Sequence, residues 1–132
     1  MFKRMIQGFG AISAFLLLTG FGAGAPVYNV MASPIPQNPA ATMENIQKAI
    51  MRAGLTLGWQ VAPKEPGKLE AVLILRTHRA VVEITHDTKT FNITYKDSSN
   101  ISYDAQRKTV HSNYNGWIQN LEKGIRIQVQ TL

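Results

Sequence analysis

Apolar positions recur at helical spacing early in the chain. Met43, Ile46, Ala49, Ile50 and Ala53 fall on one stripe, which predicts a helix over residues 39–53. Asn38 can cap it with Pro39 in the first turn, or Thr42 can cap a shorter version. Gly54 then supplies a left-handed stop, with Arg52 close to the negative end of the helix.

Beyond that point the period falls to two. Residues 57–61 alternate around Trp59, and the Pro63-Lys64-Glu65-Pro66-Gly67 stretch reads as an exposed turn. Residues 68–76 predict a longer strand with Leu69, Ala71, Leu73 and Leu75 on one face. Val72 and Ile74 lie on the other face, so this strand is expected to be central or covered on both sides. Residues 80–86 follow as a further strand. The clearest alternation is over residues 90–96, where Phe91, Ile93 and Tyr95 face in while Asn92, Thr94 and Lys96 face water. Asp97 to Asn100 reads as a polar turn, and Ile101 and Tyr103 as a short added strand.

The last element is a helix over residues 111–128, with Tyr114, Trp117, Ile118, Leu121 and Ile125 on one face. Gly116 and Gly124 weaken it by about 1 kcal/mol each relative to alanine. Helix, strands joined by short turns, then helix predicts an α+β fold: an antiparallel meander of three to five strands, with an N-terminal and a C-terminal helix packed on one face.

The first 32 residues follow a different logic. Lys3 and Arg4 make a positive start, an apolar run extends from Phe9 to Phe21, and small residues follow at Gly22, Ala23, Gly24 and Ala25. That order is a secretory signal, and the run is shorter and more glycine-broken than a bilayer span of about 20 apolar residues. Ala23-Gly24-Ala25 and Val30-Met31-Ala32 both have the small-x-small form of a cleavage site. The second is preferred, because the first leaves Pro26 at the new N-terminus. An uncleaved anchor is the alternative. The Pro34, Pro36 and Pro39 stretch reads as an extended tether. The expected division is a signal peptide over residues 1–32, a Pro-rich tether over 33–41 and a single α+β domain over 42–132, exported and periplasmic.

The formal charge of +6 changes this picture little. Without Lys3 and Arg4 there are 12 basic against 8 acidic residues, a charge of +4. The basic residues are scattered, which excludes a nucleic-acid footprint and leaves the membrane as a partner only through an uncleaved signal. No cysteine occurs, so a fold in an oxidising compartment is held by packing alone, with neither a thiol nucleophile nor an acylated anchor.

The densest grouping of polar and aromatic residues is Asp97, Ser98, Asn100, Tyr103, His111, Tyr114, Asn115 and Trp117. Together they form a candidate binding surface for a polar ligand such as a sugar or peptide. The competing reading makes Asp97 and Asn100 turn caps and Tyr114 and Trp117 core. The three histidines, His78, His86 and His111, lack metal-ligand spacing, and no cofactor is expected. Ser98 or Ser99 can be drawn with His111 and Asp97 as a catalytic trio, but no nucleophile-elbow sequence supports it. Arg76, His78 and Arg79 form a basic hairpin corner, read as a solvated turn.

The segments Tyr95-Lys96-Asp97-Ser98, Asn100-Ile101-Ser102-Tyr103 and His111-Ser112-Asn113-Tyr114-Asn115-Gly116-Trp117 give the chain a resemblance. It resembles a family of small uncharacterised exported proteobacterial proteins, several of them lipoproteins. These share a Y-x-D-S-x-N-x-x-Y turn and a final H-x-x-Y-N-x-W helix. The resemblance covers residues 42–126 and implies compartment and fold rather than activity. This chain departs from the lipoprotein members in having no acylatable cysteine.

The expected function is a non-enzymatic binding or interaction module of the envelope, meeting another protein or a cell-wall component, with Val72 and Ile74 as a surface for it. The alternative is a periplasmic small-molecule carrier with a pocket between sheet and helices. A minor hydrolase requires Asp97 and His111 within hydrogen-bond reach.

Overall fold

The computed structural model describes residues 24–132. The basic start at Lys3 and Arg4 and the apolar run of the expected signal lie outside the described residues. The element order is β1 (Ala25–Pro26), β2 (Val30–Pro34), α1 (Met43–Thr56), β3 (Gln60–Glu65), β4 (Lys68–Leu75), β5 (His78–His86), β6 (Thr90–Ser99), β7 (Thr109–Val110) and α2 (Ser112–Gln130). Five strands form one antiparallel sheet in the order β2-β6-β5-β4-β3, and β1 pairs with β7 in a separate ribbon. This is the expected α+β meander with a helix at each end.

Both helices cover the same face of the sheet. Leu69, Ala71, Val82, Ile84, Phe91 and Ile93 are buried from the strands, and they share one core with Ile46 and Ile50 of α1 and Ile118, Leu121 and Ile125 of α2. The opposite face carries ion pairs instead of a second layer: Lys96 with Glu70 at 2.7 Å, Lys68 with Glu83 at 3.1 Å and Arg79 with Asp97 at 3.3 Å. Exposed pairs of this kind stabilise by at most about 1 kcal/mol each. β4 is an interior strand, as its two apolar faces suggest, but no element among the described residues covers its outer face. Val72 is half-buried and Ile74 is 60% exposed.

The segment read as leader end and tether belongs to the fold. Ala25 and Pro26 pair with Val110 and Thr109. β2 pairs with β6 through Val30–Ile93, Ser33–Phe91 and Pro34–Thr90, and Val30, Ser33 and Ile35 are buried. A boundary at Ala32 therefore cuts through a strand, and residues 33–41 are no free linker. Proline misleads here because an edge strand tolerates it: the outward side of β2 has no neighbour to receive the missing N–H.

Other boundaries move for similar local reasons. α1 takes the shorter of its two starts, with the Thr42 hydroxyl accepting the Asn45 N–H at 3.1 Å. It also runs past Gly54. That glycine is buried within the helix, where a Cβ would stand 2.4 Å from the Val61 side chain, and the left-handed residue is Gly58 at φ +89°. β3 lies later than expected and passes through Pro63, again on a sheet edge. β6 continues through Asp97 and Ser98 because a bulge between the Val81 and Val82 pairings admits one extra residue. Ile101 and Tyr103 form no strand; Ile101 is buried within a loop.

Candidate functional site

One end of the sheet gathers three pieces of chain: the β4–β5 turn at Arg76 and Thr77, the loop following β6, and the first turn of α2. The loop is mostly polar and buries only Ile101 in the core. Side-chain hydrogen bonds fix the rest. The His78 Nδ1 donates to the Asn100 carbonyl at 2.7 Å, and the Asn100 Nδ2 donates to the Thr77 hydroxyl at 2.7 Å. The backbone of His111 donates to the Ile101 carbonyl at 2.8 Å, which ties the same loop to the start of α2.

Non-glycine backbone in the left-handed region concentrates here. Arg76 has φ +59°, Asn100 +60° and Ser102 +58°. Such conformations cost about 1–3 kcal/mol each and persist only where the surroundings enforce them. Asparagine tolerates the region better than most residues, and Arg76 sits in the two-residue β4–β5 turn that calls for it; Ser102 has neither reason.

These pieces enclose a cleft of about 240 Å³ lined by His78, Asn100, Ser102, His111, Asn113 and Trp117, with Ile101 at its floor. His111 caps α2, its Nδ1 accepting the Asn113 N–H at 3.1 Å. Trp117 is half-buried, and its ring centroid lies 6.3 Å from that of His78 at 46°. The lining holds no carboxylate, lysine or arginine.

Asn100, Ile101 and Ser102 are shared with a shallower groove of about 620 Å³ on the far side of the loop, which Tyr95, Asp97, Ser98 and Tyr103 also line. The Tyr95 and Tyr103 rings stack at 4.0 Å, and the Tyr95 hydroxyl meets the Ser98 hydroxyl at 2.6 Å. Burial raises the Tyr95 hydroxyl above its ordinary range, with the Ser98 bond opposing. Asp97 is held below the usual carboxylate range by the Ser98 N–H and then by the Arg79 guanidinium.

The eight residues singled out by sequence therefore divide four ways. Asn100, His111 and Trp117 line the tighter cleft. Asp97, Ser98 and Tyr103 line the groove, with Asn100 at the border. Tyr114 is fully buried, edge-on to Tyr95 and Trp117 at 5.9 and 6.4 Å. Its hydroxyl finds no partner among the described residues, and burial raises it far above the tyrosine range.

Asn115 serves the N-terminal segment: its Oδ1 accepts the Tyr28 N–H and its Nδ2 donates to the Pro26 carbonyl. Asp97 is engaged with Arg79 and His111 with the helix cap, and the two share no hydrogen bond, so the catalytic trio is not assembled.

Sequence reasoning missed Ser102 and Asn113 and placed His78 only in a basic corner. The pairing of a histidine with two polar loop residues depends on a left-handed backbone, for which the sequence carries no clear signal. Among the described residues no group of three His, Asp or Glu side chains gathers to hold a metal, and no helix is long and apolar enough to cross a membrane. Compared with known protein families, with curated proteins and with solved structures, the chain shows no match.

Proposed function

We propose that this chain is an exported envelope protein that works by binding rather than by catalysis, and that the cleft between His78, Ser102 and Trp117 is where it binds. The observation that supports this most is the left-handed backbone of Asn100 and Ser102 in the loop that lines the cleft. Backbone held in that region by its surroundings is a recurrent feature of ligand clamps. The space between sheet and helices is filled by core side chains, so this reading places the ligand on the rim and not in an enclosed carrier pocket. The apolar run ahead of Gly24 and the resemblance to small exported proteobacterial proteins support the envelope as the compartment.

A second reading rests on the same end of the sheet. Ile74 and Leu75 are 60% and 46% exposed, and a protein partner would cover them. Both readings are separated by photo-crosslinking in living cells with the full chain. A photoreactive residue at Ser102 is expected to capture an envelope component that one at Thr94, on the outer sheet face, does not. Capture from Ile74 alone favours the protein partner. Recovery of the chain solely in the cytoplasmic fraction overturns the compartment.

A further inference from the structure

The hydrogen bonds around the cleft set the chemistry it offers. A carbonyl oxygen can only accept, so the 2.7 Å contact between His78 and the Asn100 carbonyl places a proton on the His78 Nδ1. In the neutral ring the Nε2 is then an acceptor. The reverse holds at His111, whose Nδ1 accepts the Asn113 N–H; its neutral ring carries the proton on Nε2, which is a donor. Two imidazoles lining one cleft thus have opposite characters, each fixed by a backbone group. Ser102 and Asn113 add a hydroxyl and an amide, each able to donate and accept, and neither side chain has a partner among the described residues. Trp117 supplies an aromatic wall.

Ligand classes can be eliminated against this set. A multiply charged anion calls for a permanent cation, and the lining has no lysine or arginine; Arg79 is engaged with Asp97. A metal ion calls for three or more converging ligands, and no such group of His, Asp or Glu gathers among the described residues; an organic cation calls for a carboxylate or a cage of several aromatic rings, and the lining offers a single indole. A purely apolar ligand would strand four polar side chains. An extended peptide calls for a sheet edge or a long groove, and about 240 Å³ lies below the usual range of about 300–1,000 Å³ for ligand pockets. A neutral polyhydroxyl ring satisfies every requirement. Each hydroxyl both donates and accepts, adjacent hydroxyls answer a paired donor and acceptor, and the ring's C–H face packs on indole.

We infer that the cleft formed by His78, Ser102, His111, Asn113 and Trp117 recognises a single neutral pyranose unit, either as a free sugar or as the end of a glycan chain. This rests on the reading of the cleft as a binding site and adds the ligand class to it.

The test is an NMR titration of the isotopically labelled protein, purified from the envelope fraction. The probes are methyl glucoside, methyl galactoside, N-acetylglucosamine, its β-1,4 tetramer, and inorganic phosphate as an anionic comparator. At least one pyranoside is expected to give saturable shifts centred on Ser102, Asn113 and the Trp117 indole N–H. Asn113→Ala, an exposed change that leaves the backbone cap donor in place, and Trp117→Ala should each weaken that binding about tenfold, equivalent to 1.4 kcal/mol. A tetramer bound about tenfold or more tightly than the monomer identifies a glycan end; equal affinities identify a free sugar. Saturation at these residues by phosphate and by no sugar overturns the ligand class and leaves the site. Sugar-dependent shifts elsewhere overturn the assignment. No response at the cleft to any probe overturns both the ligand class and the site.

Discussion

The side-chain carbonyl of Asn115 accepts the backbone N–H of Tyr28 at 2.9 Å, while its amide nitrogen donates to the carbonyl of Pro26 at 2.8 Å. One side chain on α2 thereby takes up a donor and an acceptor along one edge of a segment nearly ninety positions earlier, while Val27 donates to Lys108 on the other. Tyr28 reinforces the connection through its hydroxyl, which donates to the Glu122 carboxylate at 2.6 Å. Asn115→Ala removes both backbone partners and should lower stability by about 1–3 kcal/mol. Urea unfolding checks this; an unchanged midpoint would show that water replaces the amide without cost.

The same segment decides where the domain can be shortened. A chain beginning at Gly24 should unfold cooperatively. One beginning at Ser33 loses the β1–β7 ribbon, the Asn115 clamp and buried Val30, and should be less stable by several kcal/mol. Comparing the two by thermal melting is direct, and equal melting temperatures would count against β1 and Val30 as parts of the fold.

Two glycines of α2 are predicted to behave differently. A Cβ at Gly116 meets nothing within 4 Å, so Gly116→Ala should stabilise by about 0.5–1 kcal/mol. At Gly124 the added methyl meets Leu57 at 3.1 Å and Ala53 at 3.7 Å. Gly124→Ala should therefore gain little or be destabilising, the helical preference being offset by displacement of the leucine. Chemical denaturation of both variants side by side measures the contrast.

Gly54→Ala should destabilise by more than 1 kcal/mol, because its methyl would enter the Val61 side chain. Val61→Ala opens that space at its own modest cost. In the double variant the two losses should add to less than their sum, and a double-mutant cycle reads the coupling. Strict additivity would place the strain elsewhere.

Stability should also fall on the alkaline side. Burial raises the Tyr114 hydroxyl, and the Glu122 hydrogen bond, followed by burial, raises that of Tyr28. The folded chain thus holds protons that the unfolded chain releases near pH 10. The resulting contribution is complete below that pH and is lost as pH climbs through the raised folded values. Tyr114→Phe deletes a buried hydroxyl that has no partner among the described residues. It should cost little at pH 7 and flatten the decline above pH 10, as followed by denaturant midpoint against pH.

The sequence made the helices and the inner faces of β4 and β6 legible, because burial on one side imposes a period that survives in the residues themselves. Ile118, Leu121 and Ile125 or Phe91 and Ile93 have no other reason to be spaced as they are. What escaped was structure held by partners far along the chain. Val30 and Ile35 look like scattered apolar residues in a proline-rich stretch until β6 lies beside them. Gly54 reads as a helix stop until Val61 crosses it. The candidate site was half-visible for the same reason. His111 caps a periodic helix and Trp117 lies on its apolar face, so both could be placed, whereas Asn113 sits on the exposed side of that helix and Ser102 reaches the cleft only through a left-handed loop that few residue types announce.

The clamp between Asn115 and Tyr28 also sets an order of events. The segment from Ala25 to Pro34 finds every strand partner in β6 and β7 and its side-chain anchors at Asn92, Asn115 and Glu122. A chain synthesised from its N-terminus thus emits first the piece that can be fixed last. The edge strand β2 has no partner until β6 is made, and the Tyr28 clamp waits longer, for α2; late closure of long loops is what slows folding. A polypeptide of this design keeps its early segment free until residues some sixty to ninety positions later have been made.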